Sequence, residues 1–60
     1  MNDLMFVSEV AEYLRRSENT IRWMIYEGKA PRHAKVAGRI VFRKTDVDTW
    51  LDEQFEKEVA

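Results

Sequence analysis

Five side chains able to make specific polar or stacking contacts fall within nine consecutive residues: Glu18, Asn19, Arg22, Trp23 and Tyr26. Several of these residue types match a feature that base pairs expose in the DNA major groove. Asn donates and accepts at once, as adenine requires, and Arg donates two parallel bonds to guanine. A carboxylate accepts from the cytosine amino group, and an aromatic edge rests on a thymine methyl. Glu18, at a helix start and four residues before Arg22, also suits an ordinary capping and ion-pair position. Further along, Lys35 and Arg39 bracket Val36-Ala37-Gly38, and Arg43 follows. Cations on either side of a tight turn suit phosphate contact, with Arg39 in or beside the minor groove. Arg15, Arg16, Thr20, Arg32, His33 and Lys44 are further candidates for holding a backbone. Recognition is indicated rather than catalysis, because no nucleophile lies beside a base and no glycine-rich phosphate loop is present. With no Cys and a single His, no metal or other cofactor is expected.

Side chains can read a duplex only if something holds them in register. Ser17 and Gly28 mark the two ends of a helix, the first as a side-chain cap and the second as a left-handed terminator. At about 100° per residue, Ile21, Met24 and Ile25 form its apolar face, while Asn19, Trp23 and Tyr26 cluster nearly opposite. Upstream, Val7, Val10, Ala11 and Leu14 recur at i, i+3, i+4 and i+7, which predicts a helix from near Ser8 to near Arg15. Only Arg15 and Arg16 then precede the Ser17 cap, a link of helix-turn-helix length that lacks the usual glycine and is expected to strain Arg15. Pro31 bars helix continuation. Ala34–Val36 and Arg39–Phe42 flank Ala37-Gly38 and predict a two-stranded hairpin, with Gly38 supplying positive φ. Ile40 and Phe42 should face inward, and Arg39, Val41 and Arg43 outward. His33 is expected in a loop. A third helix is expected to start between Arg43 and Thr45, with Val47, Trp50, Leu51 and Phe55 as its apolar stripe and Trp50 in the core. Glu56–Ala60 should fray. The predicted fold is α+β and mostly helical: a winged helix-turn-helix of two helices, a two-stranded β-hairpin wing and a closing C-terminal helix, forming one domain over residues 1–60.

Sixty residues with a net charge of −1 would ordinarily argue against a nucleic-acid partner, but the charges are sorted. Residues 15–44 hold nine Lys and Arg against two Glu, whereas residues 45–60 hold six Asp and Glu against one Lys. The first fourteen residues carry three acids and no base. A basic centre that contains the capped helix is the footprint of a phosphate-binding surface. No segment has the length and apolarity of a membrane span, and the first residues lack the pattern of a secretory leader, so a cytoplasmic location and no membrane partner are expected.

The stretches V-S-E-V-A-E-Y-L-R-R-S-E-N-T-I-R-W-M-I-Y-E-G-K-A-P and K-V-A-G-R-I-V-F-R-K-T-D-V-D-T-W-L resemble the small MerR-like winged helix-turn-helix domains of phage excisionases and AlpA-type regulators. The resemblance runs from about Met5 to Leu51. It implies an excisionase, a recombination directionality factor that binds adjacent sites in a phage attachment region, bends the DNA and turns an integrase toward excision. By position it implies base contacts from Glu18, Asn19, Trp23 and Tyr26, phosphate contacts from Thr20 and Arg22, and a wing contact from Arg39. The chain departs from the family pattern at Arg16, where a small apolar residue is usual, at Trp23, where a basic one is common, and at Val41, where the wing usually carries Arg.

The partners expected are therefore double-stranded DNA and, through the resemblance, a phage integrase. Charge sorting further suggests that the acidic third helix of one copy lies on the basic surface of the next, head to tail. A transcriptional regulator, repressor or AlpA-like activator, would share the fold. A different class is a protein-interaction module using Trp23, Tyr26 and Val41 as an exposed apolar patch.

Overall fold

The computed structural model describes residues 3–59. The elements run β1 (Leu4–Phe6), α1 (Val7–Leu14), α2 (Glu18–Glu27), β2 (His33–Val36), β3 (Arg39–Arg43) and α3 (Lys44–Val59). Both helices of the first pair start and stop where local chemistry dictates. At α1 the Glu9 carboxylate reaches back to accept from the Phe6 N–H at 2.8 Å. At α2 the Ser17 hydroxyl accepts from the Thr20 N–H at 3.1 Å and also bonds the Thr20 hydroxyl at 2.9 Å, satisfying a first-turn donor.

The turn Arg15–Ser17 between α1 and α2 is held by two backbone bonds. Arg15 N–H donates to Glu12 O at 3.1 Å and Arg16 N–H to Ala11 O at 2.8 Å, the pair that closes a helix through a left-handed residue. Arg15 adopts φ 58° and ψ 45°, so the strain expected of a glycine-free link is present. Gly28, at φ 75°, closes α2 in the same way, with Lys29 N–H donating to Met24 O at 2.9 Å.

The wing is one strand wider than the sequence suggests. β1 pairs antiparallel with β3, so the sheet has three strands in the order β1-β3-β2. Leu4, Met5 and Phe6 oppose Arg43, Phe42 and Val41, while His33, Ala34, Lys35 and Val36 oppose Phe42, Val41, Ile40 and Arg39. Three residues are too few to display a period of two, and Val7 belongs at once to the stripe of α1, so β1 leaves no local signal. His33 is in β2 rather than a loop. Its Nδ1 lies 2.8 Å from Pro31 O and its ring centroid 5.3 Å from that of Phe42. The hairpin tip has positive φ at both central residues, Ala37 at 51° and Gly38 at 79°, the pattern of a type I′ turn.

The core is small: Val7, Val10, Ala11, Ile21, Phe42 and Val47 are buried, with Met5, Leu14, Met24, Ile25, Ala30 and Ile40 packed around them. Each layer thus contributes from a different element, and α2 is fixed to the rest through the face the sequence assigned to it. The apolar stripe of α3 departs from expectation. Val47 is buried, but Trp50 is only half-buried, outside the core cluster. Its indole N–H donates to Lys29 O at 3.0 Å and ties α3 to the segment leaving α2. Phe55 is 63% exposed. A helix of 16 residues is about 24 Å long, and the buried cluster under it reaches no further than Val47. The helix continues through Val59, so the expected fraying of Glu56–Val59 is not seen, and Ala60 lies outside the described residues. Among the described residues no helix is long and apolar enough to cross a membrane.

Candidate nucleic-acid interface

With Ile21 fully buried, the polar face of α2 is turned outward. Glu18, Asn19, Arg22, Trp23 and Tyr26 are all exposed. Trp23 and Tyr26 stack on each other, ring centroids 5.5 Å apart and planes inclined by 26°, and they remain 58% and 81% exposed. Together they form an exposed aromatic pair on the same outward face as Asn19. Arg22 lies 3.8 Å from the Glu18 carboxylate, one turn before it. Both partners are well exposed, so the pair is weak and readily exchanged for another anion.

The wing meets α2 across an open groove lined by Phe6, Val7 and Ser8 from the β1–α1 junction, Glu18 and Arg22 from α2, and Lys35, Gly38, Arg39 and Ile40 from the hairpin. Four of the sequence-derived residues, Glu18, Arg22, Lys35 and Arg39, therefore converge on one surface. The remaining cations do not. Arg43 lines a separate groove with Arg32, His33 and Asp46. Arg16 and Thr20 border a third, beside Leu14, Met24, Trp50 and Leu51. The Thr20 hydroxyl is engaged with Ser17. Val41 is half-buried and shares its groove with Leu4, Ala34 and Val36, not with Trp23 or Tyr26.

Among the described residues only Arg22 and Lys44 have a carboxylate within ion-pair distance, so Arg16, Lys35, Arg39 and Arg43 make no direct ion pair there. Lys44 is used internally. Its Nζ donates to Asp48 Oδ2 at 3.0 Å and lies 5.1 Å from the Tyr13 ring centroid, while the Tyr13 hydroxyl donates to Asp48 Oδ1 at 2.6 Å. The Tyr13 hydrogen bond, followed by that of Lys44, holds the Asp48 carboxyl below its ordinary value. The hydrogen bond to Asp48, reinforced by its charge, raises Lys44. This cluster braces α1 against α3, and Lys44 is less free for a phosphate than its sequence position suggests.

Sequence reasoning missed Phe6 and Ser8 as groove residues. Phe6 carries the Arg39 guanidinium 4.0 Å over its ring. Their separation in sequence hides the contact; only the β1–β3 pairing brings them together.

Two helices joined by a three-residue turn, the second with an exposed recognition face, and a basic β-wing beside it define a winged helix-turn-helix DNA-binding domain. The chain matches the family model of the helix-turn-helix domain over residues 4–54 and belongs to that family, which includes excisionase- and AlpA-like proteins. Membership implies sequence-specific DNA binding in a family that is typically non-enzymatic. No curated protein gives a significant match to the chain.

Proposed function

We propose that the protein is an excisionase: a non-catalytic factor that binds and bends phage attachment-site DNA and directs an integrase toward excision. The observation that supports the docking is the groove that joins α2 to the wing, because Glu18 and Arg22 share it with Lys35 and Arg39. In this reading residues 1–60 act as one unit and α2 enters the major groove. Asn19, Arg22, Trp23 and Tyr26 face bases, with Glu18 able to accept from cytosine once Arg22 turns to the DNA. Lys35 and Arg39 meet the backbone and minor groove along the wing, while Arg16, Thr20 and Arg43 serve flanking phosphates. The excisionase role itself is supported by the resemblance of the motifs around Ser17 and the wing.

A module of this size covers about 600 to 1,000 Å² of DNA-facing surface, so copies act together. The distal half of α3, with Asp52, Glu53 and Glu56 exposed around a projecting Phe55, supplies an acidic face for the basic surface of the next copy. An independent, non-cooperative isotherm on tandem sites would remove that part of the proposal.

The deciding experiment is an in vitro recombination assay with the cognate integrase and attachment-site DNA. Addition of the protein should stimulate excision and suppress integration. If the direction is unchanged while a promoter reporter responds, the protein is a transcriptional regulator of the same fold. An affinity for duplex DNA that does not fall as salt rises would instead point to a protein-interaction module.

A further inference from the structure

Arg39 is a long, exposed cation of the wing, on the groove it shares with Arg22 and Lys35. Among the described residues no carboxylate pairs with it. What holds it is an aromatic ring: its guanidinium carbon lies 4.0 Å from the centroid of Phe6. Strand pairing and helix capping together place the backbone of Phe6. It opposes Val41 in the β1–β3 ladder, it occupies the N-cap position of α1, and its N–H is bonded to Glu9 at 2.8 Å. Yet the residue stays 39% exposed and lines the groove between α2 and the wing together with Ser8, Arg22 and Lys35. The ring therefore lies at the mouth of a cationic groove, on the face of β1 turned away from the core.

We infer that Phe6 is a positioning residue for DNA binding, holding the Arg39 guanidinium at the groove so that it meets a backbone phosphate with little further ordering. A guanidinium held over a ring by its face keeps N–H donors along its edge, and those are the donors a phosphate accepts. Ordering the side chain before the encounter lowers the entropic cost of the contact. The inference rests on the reading that Arg39 contacts DNA.

The test is a double-mutant cycle on the full chain, with a short mixed-sequence duplex as probe and affinities measured across a salt series. Phe6→Leu keeps an apolar side chain of similar volume and removes the ring; Phe6→Tyr keeps the ring. Phe6→Leu should weaken binding about two- to fivefold, the range of an exposed cation–π contact. Phe6→Tyr should bind like the parent. In an Arg39→Ala background Phe6→Leu should change affinity by less than its effect in the parent, because there is no longer a guanidinium to position. Urea melts of each variant report folding, so that a loss of stability common to both backgrounds is separated from the coupling. An equal penalty for Phe6→Leu with and without Arg39, or a Phe6→Tyr that binds as poorly as Phe6→Leu, overturns the inference. If Arg39→Ala alone changes neither affinity nor salt dependence, the DNA reading of the wing fails instead.

Discussion

Two phenylalanines on apolar stripes should respond to truncation by very different amounts. Phe42 is fully buried in a cluster of six apolar residues, with the His33 ring tilted against it and Met5 opposite it in the sheet. Removing its ring leaves a cavity bounded by residues from α1, α2 and α3, each fixed by its own caps or contacts, so the site cannot collapse cheaply. A Phe→Ala change in such a setting costs about 3 to 5 kcal/mol. A domain of 60 residues has roughly 3 to 9 kcal/mol of stability in total. Phe42→Ala should therefore lower the melting temperature by at least about 12 °C, since 1 kcal/mol corresponds to about 4 to 8 °C at this size, or abolish cooperative folding. Phe55 is 63% exposed on the part of α3 that projects beyond the core. Phe55→Ala should change stability by under about 0.5 kcal/mol, with the better helix propensity of Ala offsetting what little contact is lost. Thermal and urea unfolding followed by circular dichroism measures both. If Phe55→Ala costs as much as Phe42→Ala, the distal half of α3 folds back onto the domain, and the acidic projecting face described above does not exist.

Arg15→Gly should stabilise the protein by about 0.5 to 1 kcal/mol, because the left-handed conformation at φ 58° costs a non-glycine residue about 1 to 2 kcal/mol and glycine only the entropy of its freer unfolded chain; a lower melting temperature would contradict this account of the turn. Asn19→Ala should relax base preference and weaken the preferred site by about 1 to 3 kcal/mol, read by competition between variant duplexes, and unchanged specificity would mean that α2 docks in another register. Asp48 has a folded-state pKa depressed by Tyr13 and Lys44, so its contribution is present above the ordinary carboxylate range and is lost as pH falls through the folded value. The stability gap between the parent and Asp48→Asn should accordingly be widest near neutrality and close as urea melts are taken to acid pH, and a gap independent of pH would refute that origin.

The elements were legible in the sequence to the extent that they are defined by near neighbours. Ser17 and Gly28 bound α2 because a cap needs only a hydroxyl two or three residues from a free N–H, or a residue that tolerates positive φ. Gly38 and the alternation after it located β3, and Val7, Val10, Ala11 and Leu14 located α1. The reading of α3 failed where periodicity was asked to report burial. Val47, Trp50, Leu51 and Phe55 share a stripe, but a stripe says which side faces inward and not whether anything lies there. Nothing local places His33 in a strand, because its partners, Pro31 O and the Phe42 ring, include one reached only through strand pairing.

For the candidate interface the division is similar. That Asn19, Trp23 and Tyr26 point away from Ile21 and Ile25 follows from helical geometry, and the exposed Trp23–Tyr26 stack agrees with it. That Arg22 shares a groove with Lys35 and Arg39 while Arg16 and Arg43 border other surfaces could not be read from spacing. By itself the sequence determined the helix-turn-helix, the hairpin, the outward face of α2 and the basic centre, because each depends on residues within a turn or two of one another. Only the tertiary structure decided that β1 completes the wing, that Phe6 comes under Arg39, that Trp50 latches onto Lys29 O, and which cations line one groove. Those depend on pairing between segments tens of residues apart, where the energy lies in burial and in backbone hydrogen bonds that no local pattern records.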